Sequence, residues 1–194
     1  MTTAELTAKT YTAEEYLALE VESDTRSEYR NGAIVEMTGG TPDHNELIGS
    51  LVVMLRIAVK GKPFQVFVTD QRLWVSAKAL YTYPDVMVTA KPVTLKEGRK
   101  DTVVSPVFVA EVLSKSTRSY DREEKFEAYR TISTFQEYLM VDQYRPHVEH
   151  YVKQSENRWL FTQYNDLESR FLLSSVPVEI AVGDLYAGIE FDGA

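Results

Sequence analysis

Apolar positions along this chain recur in two rhythms, one belonging to helices and the other to strands. In "TPDHNELIGSLVVMLRIAV", His44, Ile48, Leu51 and Leu55 are spaced by four, three and four, which puts them on one helical face. The start of this helix is marked either by Asp43 and Glu46 at capping-box spacing or by Pro42 at the first helical position. An earlier helix is expected in "YTAEEYLALE", where Thr12 and Glu15 fit a capping box and Tyr11 and Tyr16 a hydrophobic staple. Between the two, "SEYRNGAIVEMT" reads as a hairpin turning at Asn31-Gly32.

The rhythm then changes to strands. "FQVFV" and "RLWVS" read as a pair, and "YPDVMVTA" as a strand entered at Pro84-Asp85, where a proline is tolerated. "KPVTLKEGRKDTVVS" is a polar loop or hairpin, and "VFVAEVLS" a central strand apolar on both faces. "TRSYDREEKFEAYR" is expected to be a short helix capped by Asp121 with Glu124. "EYLMVDQ", "HVEHYVK" and "RWLFTQY" alternate as a sheet meander, and "VPVEIAVGDLYAGIEF" adds a strand and a closing helical turn. The order of elements predicts an α+β domain with a mixed sheet and helices packed on it. No repeat or linker composition divides the chain, so one domain over residues 1–194 is expected.

Composition narrows the chemistry. With 194 residues, 44% hydrophobic and 26% charged, the chain can bury a core. It has no cysteine, which excludes a disulfide scaffold, a thiolate zinc site and a cysteine nucleophile. The N-terminus lacks the pattern of a signal peptide, and the apolar stretch from Leu47 to Val59 is short and interrupted by Arg56. A cytoplasmic protein with no membrane association is expected. Glycine-rich nucleotide fingerprints and the G-x-S-x-G elbow are missing, and His44, His147 and His150 lack zinc spacing. The net charge of −8 argues against coating nucleic acid by charge alone. It leaves room for an enzyme that meets phosphates through bound cations.

Against that background the carboxylates in strands matter. Val107, Val109, Glu111 and Leu113 alternate onto one face and Phe108, Ala110 and Val112 onto the other, so Glu111 is expected to be at least half buried. An unpaired buried carboxylate costs several kcal/mol, so a salt bridge, a set of donors or a metal ion must compensate. Asp85 enters the preceding strand, and the intervening chain is long enough for a return that makes the two acids neighbours. Two converging carboxylates and a backbone carbonyl suit a hard cation such as Mg²⁺ or Mn²⁺. A lysine nearby would complete a centre able to act on a phosphate.

A "PD" on one strand, an acid on the next and a following lysine resemble the PD-(D/E)XK nuclease superfamily. More narrowly, the chain resembles the Uma-type family of restriction-endonuclease-like proteins. The matching stretches are "SEYRNGAIVEM", "PDHNELIGSLVVML", "YPDVMV", "VFVAEVLSKSTRSYDREEKFEAYR" and "EYLMVD", with "VEIAVGDLYAGIEF" matching more loosely. The resemblance implies a restriction-endonuclease-like mixed sheet flanked by helices, with an N-terminal helix and hairpin and a C-terminal strand meander. It implies a Mg²⁺- or Mn²⁺-dependent endonuclease acting on DNA, with Asp85, Glu111 and the Val112 carbonyl as metal ligands. The superfamily's lysine belongs at position 113, which is Leu113 here. The resemblance points instead to Lys125, on the helix after the strand. Lys115 is its rival, since 111, 113 and 115 share a face if the strand runs on. Glu28 and His44 match an acid and a histidine of the family and are additional candidates. A homodimer is implied as well, because cutting both strands takes two active sites.

Basic residues for DNA are sought in "KEGRK" (Lys96, Arg99, Lys100) and in Arg118 and Arg122; Ser114 and Ser116 are expected to cap the strand-to-helix turn. The competing expectation is a catalytically inactive nuclease-like fold that serves as a nucleic-acid or protein binding or regulatory module. The leucine at 113 and the acidic balance lean toward it.

Overall fold

The computed structural model describes residues 9–191, and within them three sheets carry the architecture. The largest has six strands in the order β11-β10-β9-β8-β6-β3. These are β3 (Phe64–Val68), β6 (Val86–Ala90), β8 (Pro106–Leu113), β9 (Glu137–Asp142), β10 (Val148–Ser155) and β11 (Arg158–Tyr164). A five-stranded sheet has the order β2-β1-β5-β4-β7, from β1 (Ser27–Arg30), β2 (Ala33–Glu36), β4 (Arg72–Val75), β5 (Leu80–Thr82) and β7 (Thr102–Val103). A ribbon of β12 (Arg170–Leu172) and β13 (Glu179–Ala181) completes the set. The expected α+β architecture with a mixed sheet is present, since β8 and β9 run parallel while β6–β8 and β9–β10–β11 are antiparallel.

The helices sit where their apolar faces predict. Helix α1 (Ala13–Glu22) has the full capping box: Glu15 N–H donates to Thr12 Oγ1 at 3.1 Å and Thr12 N–H to Glu15 Oε2 at 2.7 Å. Its Tyr16 joins Tyr29 and Tyr81 in an aromatic cluster with ring centroids 5.3 to 6.2 Å apart. The hairpin turns at Asn31 and Gly32, both at positive φ (45° and 103°), as a two-residue turn of this kind requires. In α2 (Pro42–Ala58) the cap is Thr41, with Pro42 following it, rather than the Asp43–Glu46 box. The face of Ile48, Leu51 and Leu55 is buried as expected, joined by Leu47.

Helix α2, the β12–β13 ribbon and α5 (Val182–Leu185) cover one face of the six-stranded sheet, over Val66, Val86, Val88, Ala110 and Val112. The opposite face packs Val109, Leu113, Tyr138 and Met140 against the helical stretch between β8 and β9. That stretch runs through α3 (Arg118–Tyr120), a wide π-type segment (Asp121–Lys125) and α4 (Phe126–Tyr129). No helix among the described residues is long and apolar enough to cross a membrane.

Three expectations are corrected. "FQVFV" and "RLWVS" are not partners: β3 pairs with β6 in one sheet, while β4 pairs with β5 and β7 in another. The short link at 69–71 lets the chain change sheets instead of folding back. Val107 packs with the α2 side, not with Glu111, because a bulge opposite Val88 and Thr89 shifts the alternation. Asp121 is not a helix cap; it lies inside the helical stretch, buried.

Candidate functional site

Antiparallel pairing of β6 and β8, with Val86 opposite Ala110, brings the end of β8 beside the start of β6. Asp85 stands just before β6, and its Oδ2 accepts the Val112 N–H at 2.8 Å. Glu111 reciprocates: its Oε2 accepts the Asp85 N–H at 3.2 Å. Each acid thus fixes the other's strand, and the two carboxylates are neighbours at the mouth of the sheet.

Glu111 is 2% exposed. Its Oε1 accepts from Lys125 Nζ at 3.1 Å and from the Tyr129 hydroxyl at 2.8 Å. Lys125, 7% exposed, also lies 3.1 Å from Asp121 Oδ1 and 3.7 Å from Glu28 Oε1. Positions 121, 125 and 129 drift around an α-helix, since each step of four overshoots a 3.6-residue turn. The wide π-type segment takes up this excess and lets all three side chains point inward. Burial pushes the Glu111 carboxyl up; the adjacent Lys125 ammonium opposes the rise, and Asp85 and Asp121 add to it. Burial disfavours the Lys125 ammonium, but Glu111 and Asp121 outweigh it and hold that lysine well above its usual range.

Glu28, on β1, sits at the rim. One oxygen takes the Thr82 hydroxyl and the other takes Arg30 through Nε at 2.9 Å and Nη2 at 2.7 Å. Burial alone would raise its pKa, but Lys125, Thr82 and Arg30 together pull it below the carboxylate norm. Arg30 lies over the Tyr120 ring at 3.5 Å, and the Tyr120 hydroxyl is buried without a partner among the described residues.

His44 arrives from the first turn of α2. Leu113 O accepts from Gln143 Nε2 at 3.0 Å, Gln143 Oε1 accepts from the Thr41 hydroxyl at 2.5 Å, and Thr41 Oγ1 accepts the His44 N–H at 3.2 Å. This chain pins the helix N-terminus to the end of β8 and sets His44 Nε2 3.4 Å from Asp85 Oδ2. Burial lowers the histidine's proton affinity, yet Asp85 reverses the balance and raises its pKa. A Cβ on Gly40 would stand 2.7 Å from His44 Nδ1, so a glycine there lets the backbone back the ring.

The structure therefore brings Asp85, Glu111, Lys125, Glu28 and His44 together around one centre. It leaves Lys115 out: β8 ends at Leu113, and Lys115 is exposed, its Nζ 5.2 Å from the Tyr144 ring centroid. Ser114 takes the Thr117 N–H at 3.2 Å, the turn role expected of it. Of the basic residues singled out, Arg99 pairs with Asp101, Arg122 with Glu149 and Arg118 lies over Tyr144. Asp121 and Tyr129 belong to the centre although their sequence context marked them only as a cap and a helix residue. The signal available was the 121–125–129 spacing with the glutamate strand ahead of it.

The donor set consists of hard oxygens, as a magnesium-type cation prefers. Among the described residues no group of three or more His, Cys, Asp or Glu side chains is arranged to hold a metal ion. Mg²⁺ in general binds through few protein ligands and keeps several waters.

A family model described as "Putative restriction endonuclease" (Uma2) matches residues 13–183. Uncharacterized protein sll1609 of Synechocystis sp. is 39% identical over 157 residues, covering 81% of this chain and 89% of that protein. A second Synechocystis sp. protein, uncharacterized protein slr1290, is 32% identical over 180 residues, 92% of each chain. A crystal structure from Anabaena variabilis, titled a putative nuclease belonging to DUF820, superimposes with a TM-score of 0.76 at 18% identity. The alignment covers 93% of this chain and 99% of that one, so the fold is shared.

Proposed function

The chain belongs to the Uma2 family of putative restriction endonucleases, and from that premise we propose that it is a metal-dependent endonuclease hydrolysing DNA phosphodiester bonds. The observation that carries the reading is the reciprocal clamp of Asp85 and Glu111, with Lys125 Nζ 3.1 Å from Glu111 Oε1. A Mg²⁺ or Mn²⁺ ion held by Asp85, Glu111 and the Val112 carbonyl would supply a Lewis acid for the phosphate and a water of lowered pKa. The chain's own groups do the rest. Lys125 offsets charge on the phosphate and orients the attacking water. Tyr129 fixes the Glu111 carboxylate. His44 steadies Asp85, and Glu28 with Arg30 closes the rim beside Lys125.

Calorimetry with Mn²⁺ on the wild type and on Glu111→Gln tests this. Binding by the wild type that the variant loses supports the centre, and cleavage of DNA that Asp85→Ala abolishes completes the case. A second reading draws on the saturation of Glu111, whose two oxygens already have protein partners. In that reading the fold is a nuclease-like binding or regulatory module, and Glu111 is one half of a structural ion pair. Absence of Mn²⁺ binding in both proteins, with Glu111→Gln less stable, selects it.

A further inference from the structure

Most cations of this acidic chain are matched. Arg26 faces Asp70, Arg72 faces Glu20 and Asp101, Lys78 faces Glu127, Arg145 faces Asp142 and Arg170 faces Glu179. Others, such as Lys96 and Arg130, lie against aromatic rings. Among the described residues, four of the remaining cations gather at one place. A cleft of about 420 Å³ between the C-terminal end of α2 and edge strand β3 is ringed by Arg56, Lys60, Lys62 and Lys91, over a floor that includes Phe64 and Val66. Among the described residues no acidic residue lines it. Among the described residues none of these four side chains has an ion pair, a side-chain hydrogen bond or a ring contact, and all four are exposed.

Four uncompensated cations repel one another, and the overall net charge of −8 does not neutralise a cluster held together locally. Such a cluster is an electrostatic footprint for a polyanion. Its position gives the polyanion a form. Strand β6 lies between Asp85, just before its first residue, and Lys91, just after its last, and pairs along its length with β3. At about 3.3 Å per residue this separates cleft and carboxylate centre by roughly 20 Å. Base pairs repeat every ~3.4 Å, so the same span is about six base pairs of duplex.

We propose that this basic cleft grips the sugar–phosphate backbone of duplex DNA flanking the point of cleavage, giving an acidic protein a sequence-independent hold on its substrate. The inference rests on the DNA reading of the carboxylate centre. Lys60, Lys62 and Lys91 meet phosphates as point charges and Arg56 as a fork, while Phe64 and Val66 contribute shape rather than contacts to bases.

The test is binding of a labelled DNA duplex in EDTA, so that no strand is cut, followed across about 50 to 200 mM salt. The wild type should show affinity that falls steeply with salt. Lys60→Ala/Lys62→Ala/Lys91→Ala should bind at least about tenfold more weakly and lose about three from the slope of log K against log salt. Replacement of the same lysines by arginine should keep the affinity. A control of equal charge change, Lys153→Ala/Arg158→Ala/Arg170→Ala, should alter the slope by less than one. An alanine triple that stays folded and behaves like this control overturns the cleft. A wild type that binds no duplex at all overturns the DNA reading itself, and the cleft falls with it; the two failures are read on different proteins.

Discussion

Lys125 shows how much one side chain can carry. Its ammonium faces Glu111, Asp121 and Glu28 within 3.7 Å and is almost wholly shielded from water. Removing one partner of a buried ionic group leaves the others without compensation, which costs more than the pair contributes. Lys125→Ala should therefore destabilise the protein by about 3–5 kcal/mol. Glu111→Gln combined with Lys125→Met should cost less than the two single changes together, by about 0.5–3 kcal/mol, since the double change removes both charges at once. Urea midpoints at constant slope would read this, and strictly additive values would show the two groups to be energetically separate. The spacing of Asp121 and Lys125 is visible in the sequence, but the same spacing serves a solvated helix pair. What turns it into a buried centre is the sheet beneath, which no local pattern records.

At the scale of elements, Glu137 fastens β9 to the chain near the β12–β13 ribbon. Its Oε1 takes the Ser174 N–H at 2.8 Å and lies 2.6 Å from His150 Nε2, while its Oε2 takes the Ser175 N–H at 2.7 Å and the Ser175 hydroxyl at 2.5 Å. Burial works against the carboxylate, but these donors outweigh it and lower its pKa. A carboxyl depressed in the folded state contributes stability above its unfolded value, about 4.3, and that contribution disappears as pH falls through the folded value. Glu137→Gln should thus cost about 2–3 kcal/mol near pH 7, with the gap to wild type closing below about pH 4. Unfolding curves at several pH values would check it, and a gap independent of pH would assign the strap to shape alone. Elements governed by nearby residues were legible in the sequence: the Thr12 box, the Asn31-Gly32 turn, the apolar face of α2 and the β9–β10–β11 meander. The partition of β3 and β4 into different sheets was not, because adjacent strands in the sequence usually pair and only the distant β6 decides otherwise. The bulge that moves Val107 off the Glu111 face is of the same kind, a property of the β6–β8 pairing rather than of either strand.

For the whole molecule the balance is between its negative charge and the gathering of two of its carboxylates at the centre. A divalent cation seated between Asp85 and Glu111 would relieve that charge only in the folded state, where Val112 and Asp85 hold the geometry. Binding to the native state alone raises stability by RT ln(1 + [L]/Kd), about 2.7 kcal/mol when the ion stands at a hundredfold its Kd. In a chain of this size each kcal/mol moves Tm by about 2–4 °C, so Mn²⁺ should raise the wild-type Tm by roughly 5–10 °C. Screening of the net charge would raise it too, but it would act equally on any variant that keeps the rest of the surface. Asp85→Ala separates the two: a Tm that stays flat with Mn²⁺ while the wild type climbs assigns the gain to the centre. Equal gains in both proteins would assign it to general charge screening and leave the carboxylates as part of the scaffold.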